Sequence, residues 1–368
     1  MAVLKLLAFF LLAIPCTLAT VLRPRNGTAS TAACNNSPDL CNKAYSSVTQ
    51  LGAHDSPFLR DATTDYSESG NQDYNTTVQL ESGVRLVTAQ VYNNSGSWDL
   101  CHTSCALLDA GTLESWLSEI KSWMDANPND VVTVLLVNSD DAAASDLDGP
   151  FQASGITQYA YTPPATTTAL ATWPTLQELI DNNTRLVTFV ASLSPSSNMV
   201  APYLLDEFTF VFENQFLVAN PDNFSCVANR PASVDGNTQL ALQENLLPLM
   251  NHFLDTVEAL DIQVPDFDAI DTTNGESGIG NLATAADSCA VAYGKNPTFI
   301  LVDFFDQGPA IDVVDKMNGV TDPVGRLNAL TTATAAATSA TSDAIIGKTF
   351  FSCWTGLSVI GVLFVFFA

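Results

Sequence analysis

Between residues 34 and 328, short apolar runs alternate with stretches that carry an apolar stripe at helical spacing, and this alternation limits the fold more than any other feature. The runs, rich in β-branched residues, fall at 47–51, 84–91, 131–137, 186–190, 208–212 and 298–304. Several are apolar at consecutive rather than alternate positions, as expected of strands covered on both faces of a parallel sheet. Residues 112–126 place Leu113, Trp116, Leu117, Ile120, Trp123 and Met124 on one stripe, with Glu114, Glu119 and Lys121 off it. Asn127-Pro128 ends that pattern. Residues 174–182 start with Pro174 in the first turn and turn Leu176, Leu179 and Ile180 inward. The run 246–254 carries Pro248 and reads equally as helix or strand. Strand–helix alternation with no clean break predicts an α/β fold in a single domain, a closed (β/α) barrel, with a doubly wound open sheet as the alternative.

The two ends have a different character. Residues 1–19 hold one basic residue, Lys5, then an apolar stretch over 6–14 and small residues up to Ala19, which reads as a secretory signal peptide. Residues 20–33 form a linker to the domain at 34–328. Residues 349–368 carry no charge and are not followed by a basic stop-transfer sequence. With Ser342-Asp343-Ala344 and a short spacer ahead of them, they form the pattern of a GPI-attachment signal. Ser342 is the expected attachment residue, Ser339 the alternative, and the tail 343–368 would be removed. An ordinary carboxy-terminal membrane anchor is the competing reading. Residues 329–342, nearly all Ala, Thr and Ser, read as an O-glycosylated stalk.

Thirteen Lys and Arg against 39 Asp and Glu give a net charge of -26. That balance excludes a nucleic-acid partner, which needs clustered cations, and electrostatic docking on anionic lipid. A hydrophobic content of 47% excludes a disordered chain. Of eight cysteines, Cys16 goes with the signal and Cys353 with the tail. The remaining six, in an oxidising compartment, imply disulfides, for which fifteen connectivities exist. Proximity favours Cys34–Cys41 and Cys101–Cys105, which leaves Cys226–Cys289. Zinc is the competing reading of Cys101-His102-x-x-Cys105, but no second ligand pair accompanies it. N-x-S/T sequons begin at Asn26, Asn35, Asn75, Asn93, Asn182 and Asn223, the expected N-glycosylation sites.

Three histidines carry most of the candidate chemistry. His54 lies in Leu51-Gly52-Ala53-His54-Asp55-Ser56, just past the first predicted strand, and His102 in Asp99-Leu100-Cys101-His102, shortly after the second. A parallel barrel builds its active site at such carboxy-terminal strand ends. Two imidazoles there can serve as general base and general acid in one transfer.

The segment at 40–58, LCNKAYSSVTQLGAHDSPF, resembles the opening strand of the phosphatidylinositol-specific phospholipase C X-domain superfamily, in particular its fungal secreted, often GPI-anchored branch. SGVRLVTAQV followed by WDLCHTSC is similar to that family's second strand and second histidine. TWPTLQELIDNNTRLVTF and PTFILVDFF resemble later blocks. The resemblance implies a distorted (β/α)8 TIM-type barrel and cleavage of a phosphodiester. His54 would deprotonate the inositol 2-hydroxyl that attacks phosphorus, and His102 would protonate the departing diacylglycerol oxygen. Asp303, ending ILVD, would orient and polarise His54, and Asp55 would assist at the leaving-group side. A solvated carboxylate or helix cap is the structural alternative for Asp303, and an N-cap for Asp55.

The departures from the family matter. Where bacterial members place an Asp and a phosphate-clamping Arg, and animal members place calcium ligands, this chain has Thr88 and Gln90. Neither neutralises a phosphoryl oxyanion, and loss of such a donor typically costs roughly 100- to 1,000-fold. Gln90 retains one neutral hydrogen bond to offer. Arg85 matches a position that looks structural, so a buried ion pair is expected, with substrate contact the alternative. His252 and Glu213 are candidate substrate contacts, with core packing as the alternative; strand alternation lets Asn251 or His252 face the barrel mouth, not both equally. Asp140-Asp141 is a possible metal pair but reads better as a solvated acidic loop. Gly278 to Ala283 fits a dinucleotide fingerprint only on paper and reads as a helix start. No G-x-S-x-G elbow of a serine esterase is present.

The expectation is therefore a monomeric, GPI-anchored extracellular phosphodiesterase that acts on a lipid or glycolipid headgroup with neither metal nor other cofactor. The alternative from another class is a catalytically weakened barrel that binds such headgroups at the cell surface. Metal-dependent hydrolysis through the acidic loops is a third reading.

Overall fold

The computed structural model describes residues 33–193, 199–258 and 263–327. The signal segment 1–19, Asn26, the stalk 329–342, Ser342 and the tail 343–368 lie outside the described residues. In chain order the elements are β1 (Gln50–Ala53), α1 (Thr76–Ser82), β2 (Leu86–Asn94), β3 (Ser97–His102), β4 (Leu108–Thr112), α2 (Leu113–Ala126), β5 (Val132–Asn138), α3 (Ala144–Ser154) and α4 (Leu176–Asp181). There follow β6 (Leu186–Ala191), β7 (Leu204–Asp206), α5 (Glu207–Phe210), β8 (Val211–Glu213), α6 (Thr238–Gln243), β9 (Leu247–Asn251), β10 (Asp255–Val257), β11 (Gln263–Pro265), α7 (Ile270–Thr273), α8 (Leu282–Tyr293), β12 (Phe299–Val302) and α9 (Ala310–Asn318).

Hydrogen-bonded neighbours run β7-β6-β5-β2-β1-β12-β9-β8, every pair parallel. Alternate residues from these strands, among them Leu86, Leu135, Phe189, Leu205, Val211, Leu249 and Leu301, pack into one interior cluster. The intervening residues, such as Leu51, Val87, Val134 and Ile300, pack outward against Trp116, Leu117 and Ile120 of α2 and other helices. Both faces are covered, which explains the continuous apolar runs. The sheet curls into a distorted (β/α)8 barrel in one domain, with no ladder between β7 and β8 among the described residues. Gly52 sits where this curl is tight: a Cβ there would lie 2.7 Å from Leu301 and 2.8 Å from Leu86.

The run at 208–212 is not one strand. Residues 207–210 form the helical turn α5, and only Val211–Glu213 joins the sheet. The run at 246–254 resolves as β9, where Pro248 lacks an N–H but its carbonyl accepts the Thr298 N–H at 3.0 Å. α4 begins not at Pro174 but at the Thr175 cap, which closes a capping box with Glu178. The β3–β4 hairpin, antiparallel to β2, was not legible in the sequence, and it carries His102. α8 begins at the Asn281 cap, as the Gly278–Ala283 pattern implies.

All three expected disulfides are present: Cys34–Cys41, Cys101–Cys105 and Cys226–Cys289. Asn75, Asn93, Asn182 and Asn223 are exposed. Asn35 corrects one glycosylation expectation. It is buried, its Oδ1 accepts the Val131 N–H at 2.7 Å, and the Nδ2 that would bear the sugar is sealed from solvent.

Candidate active site

Strand alternation builds the site. Gly52, Leu86, Val211, Leu249 and Leu301 point into the barrel. His54, Gln90, Glu213, Asn251 and Asp303 lie an even number of residues further along the same strands, so they reach its carboxy-terminal mouth. His102, ending β3, joins them from the hairpin.

Two imidazoles converge on one carboxylate oxygen. His54 Nδ1 lies 2.8 Å from Asp303 Oδ1, and the ring stacks on Phe253 with centroids 3.8 Å apart and planes at 4°. Its Nε2 then faces Asp55 Oδ2 at 3.7 Å, and His102 Nε2 approaches that same oxygen at 3.6 Å. Gln90 Nε2 donates to Asp55 Oδ2 at 2.7 Å while its Oε1 accepts the Thr103 N–H at 3.0 Å. Phe58 meets His102 edge to face at 5.4 Å. Asp55 and Asp303 are each 1% exposed, whereas the His54 side chain keeps 20% of its surface open.

The electrostatics separate the two rings. Burial alone would push His54 down, but the Asp55 and Asp303 carboxylates outweigh it and hold the imidazole at about 9. Burial lowers His102, with Asp55 opposing and His54 adding to the fall. Asp255, just past β9, is pushed up to about 7 by burial and by the charge of Asp303.

Several residues prominent in the sequence prove to lie elsewhere or to be already engaged. Thr88 is a buried strut whose Oγ1 accepts the Asp55 N–H at 2.8 Å. Arg85, at the opposite end of β2, pairs with Asp130 at 2.6 Å and donates to Asn36, as its structural reading implies. His252 points away from the mouth. It is fully buried, bonds the Thr273 carbonyl at 2.9 Å, stacks on Phe224 and borders a separate cavity of about 280 Å³ between β9 and α8. Asn251 takes the inward position and donates to Glu213 Oε2 at 3.1 Å. Glu213 also pairs with Arg230, a residue not singled out in the sequence, whose guanidinium lies 4.0 Å from the Phe216 ring centroid. Burial and contact with Glu213 raise Glu207 well above the usual carboxylate range. Asp140 accepts the Asn93 N–H in an exposed loop.

Asn71 and Gln72 were also missed. Asn71 Nδ2 donates to Asp303 Oδ1 at 2.9 Å, and Gln72 Nε2 donates to the His54 carbonyl at 2.8 Å. They sit in a polar loop with no periodicity, so no sequence signal marks them. Among the described residues, no ion pair or hydrogen bond joins an Arg or Lys to His54, Asp55, His102 or Asp303, and no group of three or more His, Cys, Asp or Glu is arranged to hold a metal. The arrangement offers two proton-transfer groups on either side of one buried carboxylate.

The family model of the PI-PLC X domain matches residues 40–318. A PI-PLC X domain-containing protein of the fungus Arthroderma benhamiae is 36% identical over 305 residues, 82% of this chain and 95% of that protein. An uncharacterized secreted protein of the same fungus is 33% identical over 299 residues, 79% of this chain and 65% of that protein. Among solved structures, the phosphatidylinositol-specific phospholipase C of Listeria monocytogenes aligns with a TM-score of 0.49 at 16% identity, covering 75% of this chain and 95% of that one.

Proposed function

This chain belongs to the PI-PLC X-domain family, and on that premise we propose that it is a phosphodiesterase cleaving a phosphatidylinositol or glycosylated-inositol headgroup with His54 and His102 as its proton-transfer pair. The observation that carries the reading is the convergence of both Nε2 atoms on Asp55 Oδ2. His54 Nε2 takes the proton of the attacking ring hydroxyl, with Asp303 fixing the tautomer through Nδ1. The new O–P bond expels the glycerol oxygen, which receives a proton from His102, and a cyclic phosphate results. Asp55 supports the imidazolium forms of both rings.

The resting charges run opposite to those that this sequence of steps needs, because His54 holds its proton and His102 does not favour one. An anionic diester beside His102 favours its imidazolium form, while deprotonation of His54 calls for alkaline pH. The state with His54 neutral and His102 protonated is thus a minor one, most populated between the lowered value of His102 and about 9. Glu213, Arg230 and Asn251 form the wall of the mouth on the β8–β9 side, where ring hydroxyls would be held. Three disulfides and a relative named as a secreted protein support the secretory pathway; the sequence pattern over 342–368 alone is the ground for proposing a GPI anchor at Ser342, and the barrel is proposed as a monomer.

A second reading has one observation in its favour: Gln90, standing where the family's phosphate ligand would be, spends a donor on Asp55. On that reading the barrel binds headgroups without turning them over. Purified protein incubated with phosphatidylinositol vesicles separates the two. Release of inositol phosphate, cyclic or linear, that survives EDTA supports the enzyme. Release abolished by EDTA assigns the chemistry to a metal. No release from any phosphodiester, with headgroup binding unchanged in His54→Ala and His102→Ala, supports the binding protein.

A further inference from the structure

We propose that Asn71 is a positioning residue for the His54–Asp303 pair, holding the Asp303 carboxylate in the rotamer that meets the imidazole. This deepens the reading of His54 as a proton-transfer group and rests on it. Asp303 follows the end of β12 and is 1% exposed. Its Oδ1 accepts from both His54 Nδ1 at 2.8 Å and Asn71 Nδ2 at 2.9 Å, while Oδ2 is buried without a partner. The donor from Asn71 is therefore the second anchor that turns Oδ1 toward the ring.

Asn71 is itself held rigidly. It is 1% exposed, its N–H donates to the Phe58 carbonyl at 2.8 Å, and its carbonyl accepts the Phe304 N–H at 2.8 Å. The amide orientation follows from chemistry, since the opposite orientation would set an amide oxygen against a carboxylate oxygen. Nδ2 also lies 3.3 Å from His54 Nδ1, so the carboxylate, the imidazole and the amide meet at one point. Gln72 completes the clamp: Nε2 donates to the carbonyls of His54 (2.8 Å) and Val302 (3.2 Å), and Oε1 accepts the Phe305 N–H at 3.2 Å. Gln72 fixes the backbone of both strand ends, and Asn71 fixes the chemistry between them.

The groups facing His54 are Asp303, Asp55 and Asp255, with Phe253 against the ring face and His102 across Asp55.

The test is the imidazole titration by NMR with labelled histidine, feasible because the chain holds three histidines in all. In Asn71→Leu, of similar volume but without a donor, Asp303 is free to turn from the ring and the His54 midpoint should fall by about half a unit or more. In the same variant kcat at neutral pH should fall about 10- to 100-fold with little change in KM. Asn71→Ala, smaller and equally without a donor, should move the midpoint in the same direction and keeps the test open if the leucine variant does not fold. A midpoint unmoved or raised in both variants, or activity that falls only in step with Tm, would overturn the proposal. A midpoint that moves in a protein with no phosphodiester turnover supports the positioning role and counts against the functional reading alone.

Discussion

His54 Nδ1 and Asp303 Oδ1 meet at 2.8 Å although 249 positions separate them in the chain. β1 pairs with β12, Ala53 opposite Val302, so the two residues that follow those strands emerge side by side at the mouth. The pairing of the first and last barrel strands brings the imidazole to its carboxylate. The same register sets Gln72 across both strand ends.

The charge on His54 links activity and stability to pH. With its folded value raised from 6.5 to about 9, the ring contributes stability that is fully present below pH 6.5 and is lost as pH rises through about 9. The contribution is on the order of 3 kcal/mol. Thermal unfolding of wild type and His54→Gln should therefore differ most at pH 6 and converge by about pH 10. Because the reaction needs His54 neutral and His102 protonated, kcat/KM should be bell-shaped with its descending limb near 9, where His54 of the free enzyme titrates. A descending limb far from 9, with parallel Tm curves, would show that His54 is neutral at rest.

Gln90 joins Asp55 to the backbone of Thr103, beside His102, so its first role is to hold the two imidazole partners together. Gln90→Met, of similar shape but without either hydrogen bond, should lower kcat roughly 10- to 100-fold and leave KM nearly unchanged. Steady-state kinetics on phosphatidylinositol decide the point. A raised KM with kcat intact would instead make Gln90 a binding contact for the diester.

The Cys101–Cys105 disulfide closes a short loop around His102. Replacing both cysteines with serine should remove about 2 kcal/mol of stability, since the loop is so short, but should lower kcat by about tenfold or more through misplacement of the ring. Tm and kcat measured together test this. Full activity in the serine pair would mean that Gln90 and Asp55 hold His102 unaided.

The barrel was readable from the sequence because strands buried on both faces must be apolar at consecutive positions, as 131–137 and 186–190 are. The mouth residues were readable where a polar group breaks such a run at its end, as His54 and Asp303 do. The resemblance supplied their roles. Residues 208–212 misled because their apolar content fits a helical turn as well as a strand. Asn71, Gln72 and Arg230 were hidden for another reason: each acts through contacts between distant parts of the chain, and nothing local sets it apart from other polar loop residues. His252 shows the limit of alternation read without register, since only the pairing of β9 with β12 settles that Asn251 faces inward and His252 outward.

The central claim is that His54 and His102 act as one unit through Asp55, and a double-mutant cycle on kcat tests it most directly. His54→Ala and His102→Ala should each abolish most of the inositol phosphate release, and the double variant should fall little below either one, because groups that act together are lost together. Independent, multiplicative losses, or substantial turnover in either single variant, would contradict it.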